Sequence, residues 1–188
     1  MKKNLLSIVA TTLLLTSGSL MAKPYVLDIS HSNVGFKVKH MIVSTVTGKF
    51  GEFSGNFDVE NGVFKSLEGV INAESIDTGI EKRDNHLRSD DFLNAEMFEE
   101  ITFVMTSATK DKMTGNLTIR DVTKPVTLDL DFGGVVMDPW GGERVGFTLE
   151  GKISRKAFGL KWNDLLETGG AVVGDEIRLV VEIEGIAQ

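Results

Sequence analysis

The sequence predicts an all-β protein with short helices, built as one antiparallel barrel or sandwich. Apolar and polar residues alternate with a period of two in stretch after stretch, and turn dipeptides stand between them. No Pro- or Ser-rich linker and no repeat of solenoid length divides the chain. Strands that are apolar on one side and joined antiparallel must close on themselves or stack to hide that side.

The first element is a leader. Lys2 and Lys3 precede an apolar run at residues 5–15, and small residues precede a cut expected after Ala22. Residues 1–22 therefore read as a secretory signal peptide, too short for a comfortable membrane span. The absence of cysteine removes a lipid-anchoring thiol, disulfides, thiolate metal sites and cysteine nucleophiles. Residues 23–188 are expected to form a single exported domain with no integral membrane segment. Two basic residues and no acid leave with the leader, so the mature chain is more acidic than the whole protein's −7. That balance argues against nucleic acid and against adsorption to anionic surfaces.

The strands follow in order. Residues 25–30 open the series, and in Asn33–His40 the side chains of Val34, Phe36, Val38 and His40 face one way. Strands are expected at 50–59 and 67–76. Ile101, Phe103 and Met105 then alternate with polar neighbours, as do Met113, Leu117 and Ile119. The same holds for Leu128, Leu130 and Phe132, for Val145, Phe147, Leu149 and Ile153, and for Ile177, Leu179, Val181 and Ile183. Turn chemistry lies at Asn61-Gly62, Gly133-Gly134, Asp138-Pro139 and Gly141-Gly142. The inward set mixes Gly115, Gly151, Ala73, Met105 and Met113 with many of the eleven phenylalanines. A barrel filled by side chains and one holding a ligand both fit this set.

Residues 75–103 break the alternation. Thr78 and Glu81 have capping-box spacing, which predicts a helix from Gly79. Ile80, Arg83, Asp84 and Leu87 then share one face, turned toward the protein body. Arg83 and Asp84 are expected to point inward together, as a structural ion pair or toward a ligand head group.

A second break, residues 153–163, brings Phe158, Leu160 and Trp162 close together after strand alternation stops at Arg155. Such a loop buries its apolar surface, closing a barrel end or lining an opening. His31, His40 and His86 have no metal-site spacing, and no metal is expected. No Gly-x-Ser-x-Gly elbow or Ser–His–acid set is present, and no catalytic residue is assigned.

The ordered motifs resemble the YceI-like family. They are DISHSNVGF at 28–36, VKH at 38–40, GKF at 48–50, SIDTG at 75–79 and RDNHLRS at 83–89. ITF at 101–103, GNLTI at 115–119, VTKPV at 122–126, FGL at 158–160 and VGDEI at 173–177 follow. The resemblance implies a lipocalin-like, extended eight-stranded antiparallel β-barrel with an internal apolar tunnel, and a periplasmic protein without catalysis. It implies a bound long-chain amphiphile, such as an isoprenoid quinone, polyprenyl compound or fatty amide or acid, no other cofactor, and a homodimer. Leu93-Asn94, Glu99-Glu100 and Asp121 depart from the family's usual residues. On this reading Phe36, Val38, Phe53, Phe57, Ile101, Phe103, Leu117, Leu128, Phe147, Leu149, Phe158 and Trp162 line the tunnel. His40, Arg83, Asp84 and His86 serve the head group or the lid. The competing expectations are an enzyme acting on the lipid head, with His86 as base and Arg83 steadying an anion, and a packed barrel without ligand.

Overall fold

A computed structural model describes residues 22–164 and 171–188. The expected leader lies outside the described residues except for Ala22, its last position. The strands are β1 (Lys23–Leu27), β2 (Asn33–His40), β3 (Ser44–Phe50), β4 (Phe53–Glu60), β5 (Val63–Asn72) and β6 (Ile76–Asp77). After helix α1 (Glu81–Arg88) come β7 (Glu100–Ala108), β8 (Lys112–Ile119), β9 (Val122–Met137), β10 (Glu143–Ser154) and β11 (Val173–Ala187).

Every strand pairing among the described residues is antiparallel. The ring runs β1-β4-β5-β7-β8-β9-β10-β11 and returns to β1, which closes an eight-stranded barrel. The fifteen-residue β11 serves two neighbours. Its C-terminal end pairs with β1 (Tyr25 opposite Ala187), and its N-terminal part pairs with β2 (Val38 opposite Ile177). The ribbon β2-β3-β6 thus continues the wall where β1 has ended.

Three local expectations are corrected. Residues 50–59 are not one strand: β3 ends at Phe50 and β4 begins at Phe53, with Gly51 N–H donating to Ser75 O (3.0 Å) across the bend. Gly133-Gly134 is not a turn but lies within β9, where the register to β10 shifts beside Gly146 and Gly134 has φ 106°. A glycine-bearing bulge of this kind kinks a strand without ending it. Ile29 and Ser30 leave the strand for a single 3₁₀ turn capped by Asp28.

The interior has two apolar layers. One end is plugged by aromatic rings: Tyr25 stacks on Phe57 (5.4 Å), and Phe147 meets both Phe57 (5.2 Å) and Phe64 (4.8 Å). Toward the other end Ala73, Ile76, Leu93, Ile101, Leu117, Ile153, Phe158 and Leu160 form the second layer. Between them, glycine seats large side chains against the wall. A Cβ on Gly48 would fall 2.3 Å from Phe36 Cζ, and one on Gly115 would fall 2.3 Å from Phe103 Cζ. Both rings therefore lie flat along the sheet instead of crossing the lumen, and the lumen stays open.

Candidate functional site

The two layers enclose a cavity of about 220 Å³. Its wall is apolar because inward positions on successive strands are apolar. Phe36, Val38, Phe53, Leu67, Ile71, Ile101, Phe103 and Leu117 line it from β2, β4, β5, β7 and β8. Leu128, Phe147, Leu149, Ile153, Ile177 and Leu179 complete it from β9, β10 and β11. Gly69 adds width: a Cβ there would meet only Ser54 O, at 3.9 Å. The volume exceeds apolar cavities of about 150 Å³ that stay dry and accept benzene. It is below the roughly 300–1,000 Å³ of common small-molecule pockets, a size suited to a tail more than to a bulky ring system.

Leu87 of α1, with Phe92, Leu93 and Leu160, caps the cavity. The ring of Trp162 locks this cap from outside it. The Trp162 ring stands edge-on to His86 at 4.7 Å and tilted on Phe92 at 5.1 Å, so the segment after β10 is clasped to the helix. His86 Nε2 also pairs with Asp91 Oδ2 at 2.8 Å.

Among the described residues of the lining, Glu68 and Arg155 are the charged ones. Arg155 is buried, and its guanidinium donates to four backbone carbonyls. Nη1 reaches Leu160 O (2.5 Å) and Trp162 O (2.8 Å), Nε reaches Gly174 O (2.9 Å), and Nη2 reaches Val173 O (3.3 Å). Burial pulls its pKa down, partly offset by Asp175. The five-donor fork thus ties the cap segment to the start of β11.

A wider groove of about 960 Å³ abuts the cavity at Phe53, Ser54 and Val70. It is open and polar, lined by Glu52, Glu74, Glu96, Glu99 and Glu100 with Asn72, Asn85, Arg88 and Ser89. Its size reflects solvent space, and the enclosed apolar cavity is the better candidate for selective binding.

Nine of the residues read from sequence as tunnel-lining do line the cavity: Phe36, Val38, Phe53, Ile101, Phe103, Leu117, Leu128, Phe147 and Leu149. Three stand elsewhere. Phe57 lies in the aromatic plug, Phe158 is packed in the second layer, and Trp162 clasps the cap from outside. His40 ends β2, half-buried opposite Val173, and is not among the lining residues.

The helix also departs from expectation. It begins at Glu81 with Ile80 as N-cap and no side-chain cap, so the capping box is not formed. Ile80 is 53% exposed instead of facing the body. Asp84 is buried, but its Oδ1 accepts from Thr78 N–H (2.9 Å) and from the Thr78 hydroxyl. Arg83 Nε donates to Thr78 Oγ1 (2.7 Å) and Nη2 to Thr78 O (3.0 Å). The expected ion pair is replaced by two charges that share one threonine. Residues that sequence reading missed include Phe92 and Leu93 of the cap, and Gly69, whereas Leu160, expected to close a barrel end or line an opening, does border the cavity. Leu87 was visible as a helix-face residue, whereas Gly69 carries no signal beyond its place in a strand.

At the plugged end Asp28, His31 and Glu184 bring ligand-type atoms within 4.8 Å of one another. Arg144 Nη1 already supplies the positive charge there, 2.7 Å from Asp28 Oδ2 and 2.6 Å from Glu184 Oε1.

These features define the class: a single antiparallel β-barrel, closed on itself, with an apolar interior capped by a short helix. Within that class the chain belongs to the YceI-like domain family, whose domain matches residues 25–185. It is 41% identical over 196 residues to Protein YceI of Salmonella newport (strain SL254), covering the whole of both chains. Among solved structures it is similar to the Campylobacter jejuni YCEI protein, at 35% identity and a TM-score of 0.66, over 86% of this chain and 96% of that one. A polyisoprenoid binding domain from Saccharophagus degradans shares the fold, with a TM-score of 0.67 at 16% identity over 87% and 98%.

Proposed function

We propose that this protein is a periplasmic binding protein that carries or sequesters a long-chain amphiphile, residues 23–188 being the mature single domain. The observation that carries the reading is the capped cavity, whose lining among the described residues is apolar apart from Ser54, Glu68, Arg155 and backbone. Burying a methylene contributes about 0.8 kcal/mol, so ten buried carbons yield roughly 8 kcal/mol before association costs. An isoprenoid or fatty tail meets that requirement, and the polyisoprenoid-binding neighbour with the same fold supports it. The head lies where the cavity meets the polar groove. Five glutamates there favour an uncharged head, such as a quinone or amide, over a phosphate or carboxylate.

The geometry speaks against head-group catalysis by His86 and Arg83. His86 is engaged by Asp91 and Trp162, Arg83 is engaged by Thr78, and neither lines the cavity. Native mass spectrometry after mild purification tests the carrier reading. A co-purifying lipid mass, or uptake of added quinone or polyprenol, is expected. A chain that shows neither, while folded, overturns it.

A further inference from the structure

The β2–β3 turn exposes residues that a turn ordinarily does without. Met41, Ile42 and Val43 follow one another at the tip and are 40%, 72% and 86% exposed. Met41 and Ile42 have φ of 51° and 66°, the left-handed region, where a β-branched residue such as isoleucine is an outlier. The β4–β5 turn of the same protein meets the same demand with Asn61 and Gly62, at φ 52° and 75°. Neither backbone need nor burial therefore accounts for an apolar, strained tip, and such strain concentrates where a surface has work to do.

The strands beside the tip add charge of one sign. Lys37 and Lys39 on β2 and Lys49 on β3 are exposed on the outer face, opposite Thr47, Thr45 and Gly35. The ribbon from Asn33 to Phe50 holds these three lysines and no acid, within a protein of net charge −7. Lys39 Nζ donates to Thr45 Oγ1 (3.1 Å), and Asp77, opposite Lys49, turns its carboxylate to Gly79 N–H (2.7 Å). Among the described residues none of the three lysines is held in an ion pair. The tip also borders the cap. Met41 N–H donates to Val172 O (2.8 Å), and Arg155 links adjacent Val173 to Trp162, which clasps α1.

We propose that the β2–β3 hairpin is a membrane-docking element. Met41, Ile42 and Val43 enter the interface of an anionic lipid bilayer, Lys39 sits over its head groups, and Lys37 and Lys49 lie progressively farther back on the same face. The purpose of docking rests on the carrier reading, since a carrier must meet a bilayer to load or unload; the docking itself does not. The acidic balance of the whole chain does not prevent it. Charges farther than about 8 Å from the surface are screened at physiological salt, so the ribbon nearest the bilayer decides. The β9–β10 turn at the plugged end is also apolar, with Met137 and Trp140 exposed, but Asp129, Asp131, Asp138 and Glu143 lie on its strands and turn. Lys23 and Arg144, the cations at that end, are held in ion pairs with Glu143, Asp28, Asp138 and Glu184, so their charge is already met.

Flotation of the purified chain with vesicles of phosphatidylcholine, alone or mixed with phosphatidylglycerol, tests the proposal. Binding is expected only to the anionic vesicles and to weaken in high salt. Ile42→Ser/Val43→Ser should lower partitioning at least about tenfold. Single lysine-to-glutamine changes should lower it by up to about fivefold each. The effect should rank Lys39, Lys37, Lys49, because each residue back along a strand adds roughly 3.3 Å. Trp140→Ser should bind like the parent, and circular dichroism and melting should show every variant folded. Equal binding to neutral vesicles, or tip variants that bind like the parent, would overturn the proposal. So would loss on Trp140→Ser instead, or a tip change that only converts a dimer to a monomer, which would assign the tip to a second copy. Native mass spectrometry on the same samples separates the two readings. Tip variants that keep a lipid mass but lose the vesicles bear on docking alone, and a cargo-free parent that still floats leaves docking standing without the carrier.

Discussion

Asp84 and Thr78 hold the lid helix to the barrel: a single carboxylate oxygen accepts both the N–H and the hydroxyl of Thr78, six residues earlier. Arg83 grips the same threonine through its carbonyl and hydroxyl oxygens. Because Thr78 directly follows β6, the shared contact fixes where α1 leaves the sheet and hence where Leu87 meets the cavity.

Asp84→Ala leaves the half-buried N–H and hydroxyl of Thr78 without their acceptor and should destabilise the protein by about 1–3 kcal/mol in urea unfolding. Asp84→Asn keeps an acceptor and should lose less. Hydrogen exchange should rise first over residues 76–90 in the alanine variant.

Trp162→Ala removes two ring contacts that hold the cap, each worth about 0.5–1.5 kcal/mol. Release of a bound amphiphile should quicken by about tenfold, read as dissociation of a fluorescent fatty probe, alongside a loss of global stability of about 1–3 kcal/mol. Unchanged release would mean that the cap does not control exit.

Arg155→Lys is not conservative, since an ammonium cannot reach four carbonyls spread from Leu160 to Gly174. It should cost about 2–4 kcal/mol, and Arg155→Met at least as much, in thermal or denaturant unfolding.

Acid should weaken the plugged end. The hydrogen bond to His31, and then that to Arg144, pulls the Asp28 pKa from 3.8 down to about 2. A depressed folded-state pKa contributes stability above the unfolded value, lost as pH falls through the folded one, here between about pH 4 and 2. Arg144→Met should move the acid transition to higher pH in a circular-dichroism titration. At the alkaline side, burial first and the bond to Glu143 second raise Tyr25 to about 12. Its contribution is therefore present below pH 10 and lost between about 10 and 12.

Alternation made most of the barrel legible, because each inward residue must be apolar whatever its partner. It failed at β3 (Ser44–Phe50), where Thr45, Thr47 and Lys49 face outward but Gly48 occupies an inward place. That glycine is there to receive Phe36, a cross-strand reason invisible in one strand's sequence. Gly133-Gly134 looked like a turn because the same dipeptide serves bulges. In α1 the capping-box spacing was present, but Thr78 spent its hydroxyl on Asp84. Phe57 and Phe147 both point inward and both belong to the plug, yet only Phe147 also borders the cavity. Position along the barrel axis is set by register, which periodicity does not encode.

The role of the cavity is tested most directly by affinity against tail length, measured for a series of straight-chain amides in the parent and in Gly69→Leu. The parent should tighten about fourfold per added methylene until the lumen is full, then level off. Gly69→Leu, whose side chain enters the lumen where only Ser54 O now stands near, should level off at shorter tails while remaining folded. Affinity that ignores tail length, or a Gly69→Leu series that matches the parent, would contradict a function carried by the barrel's interior.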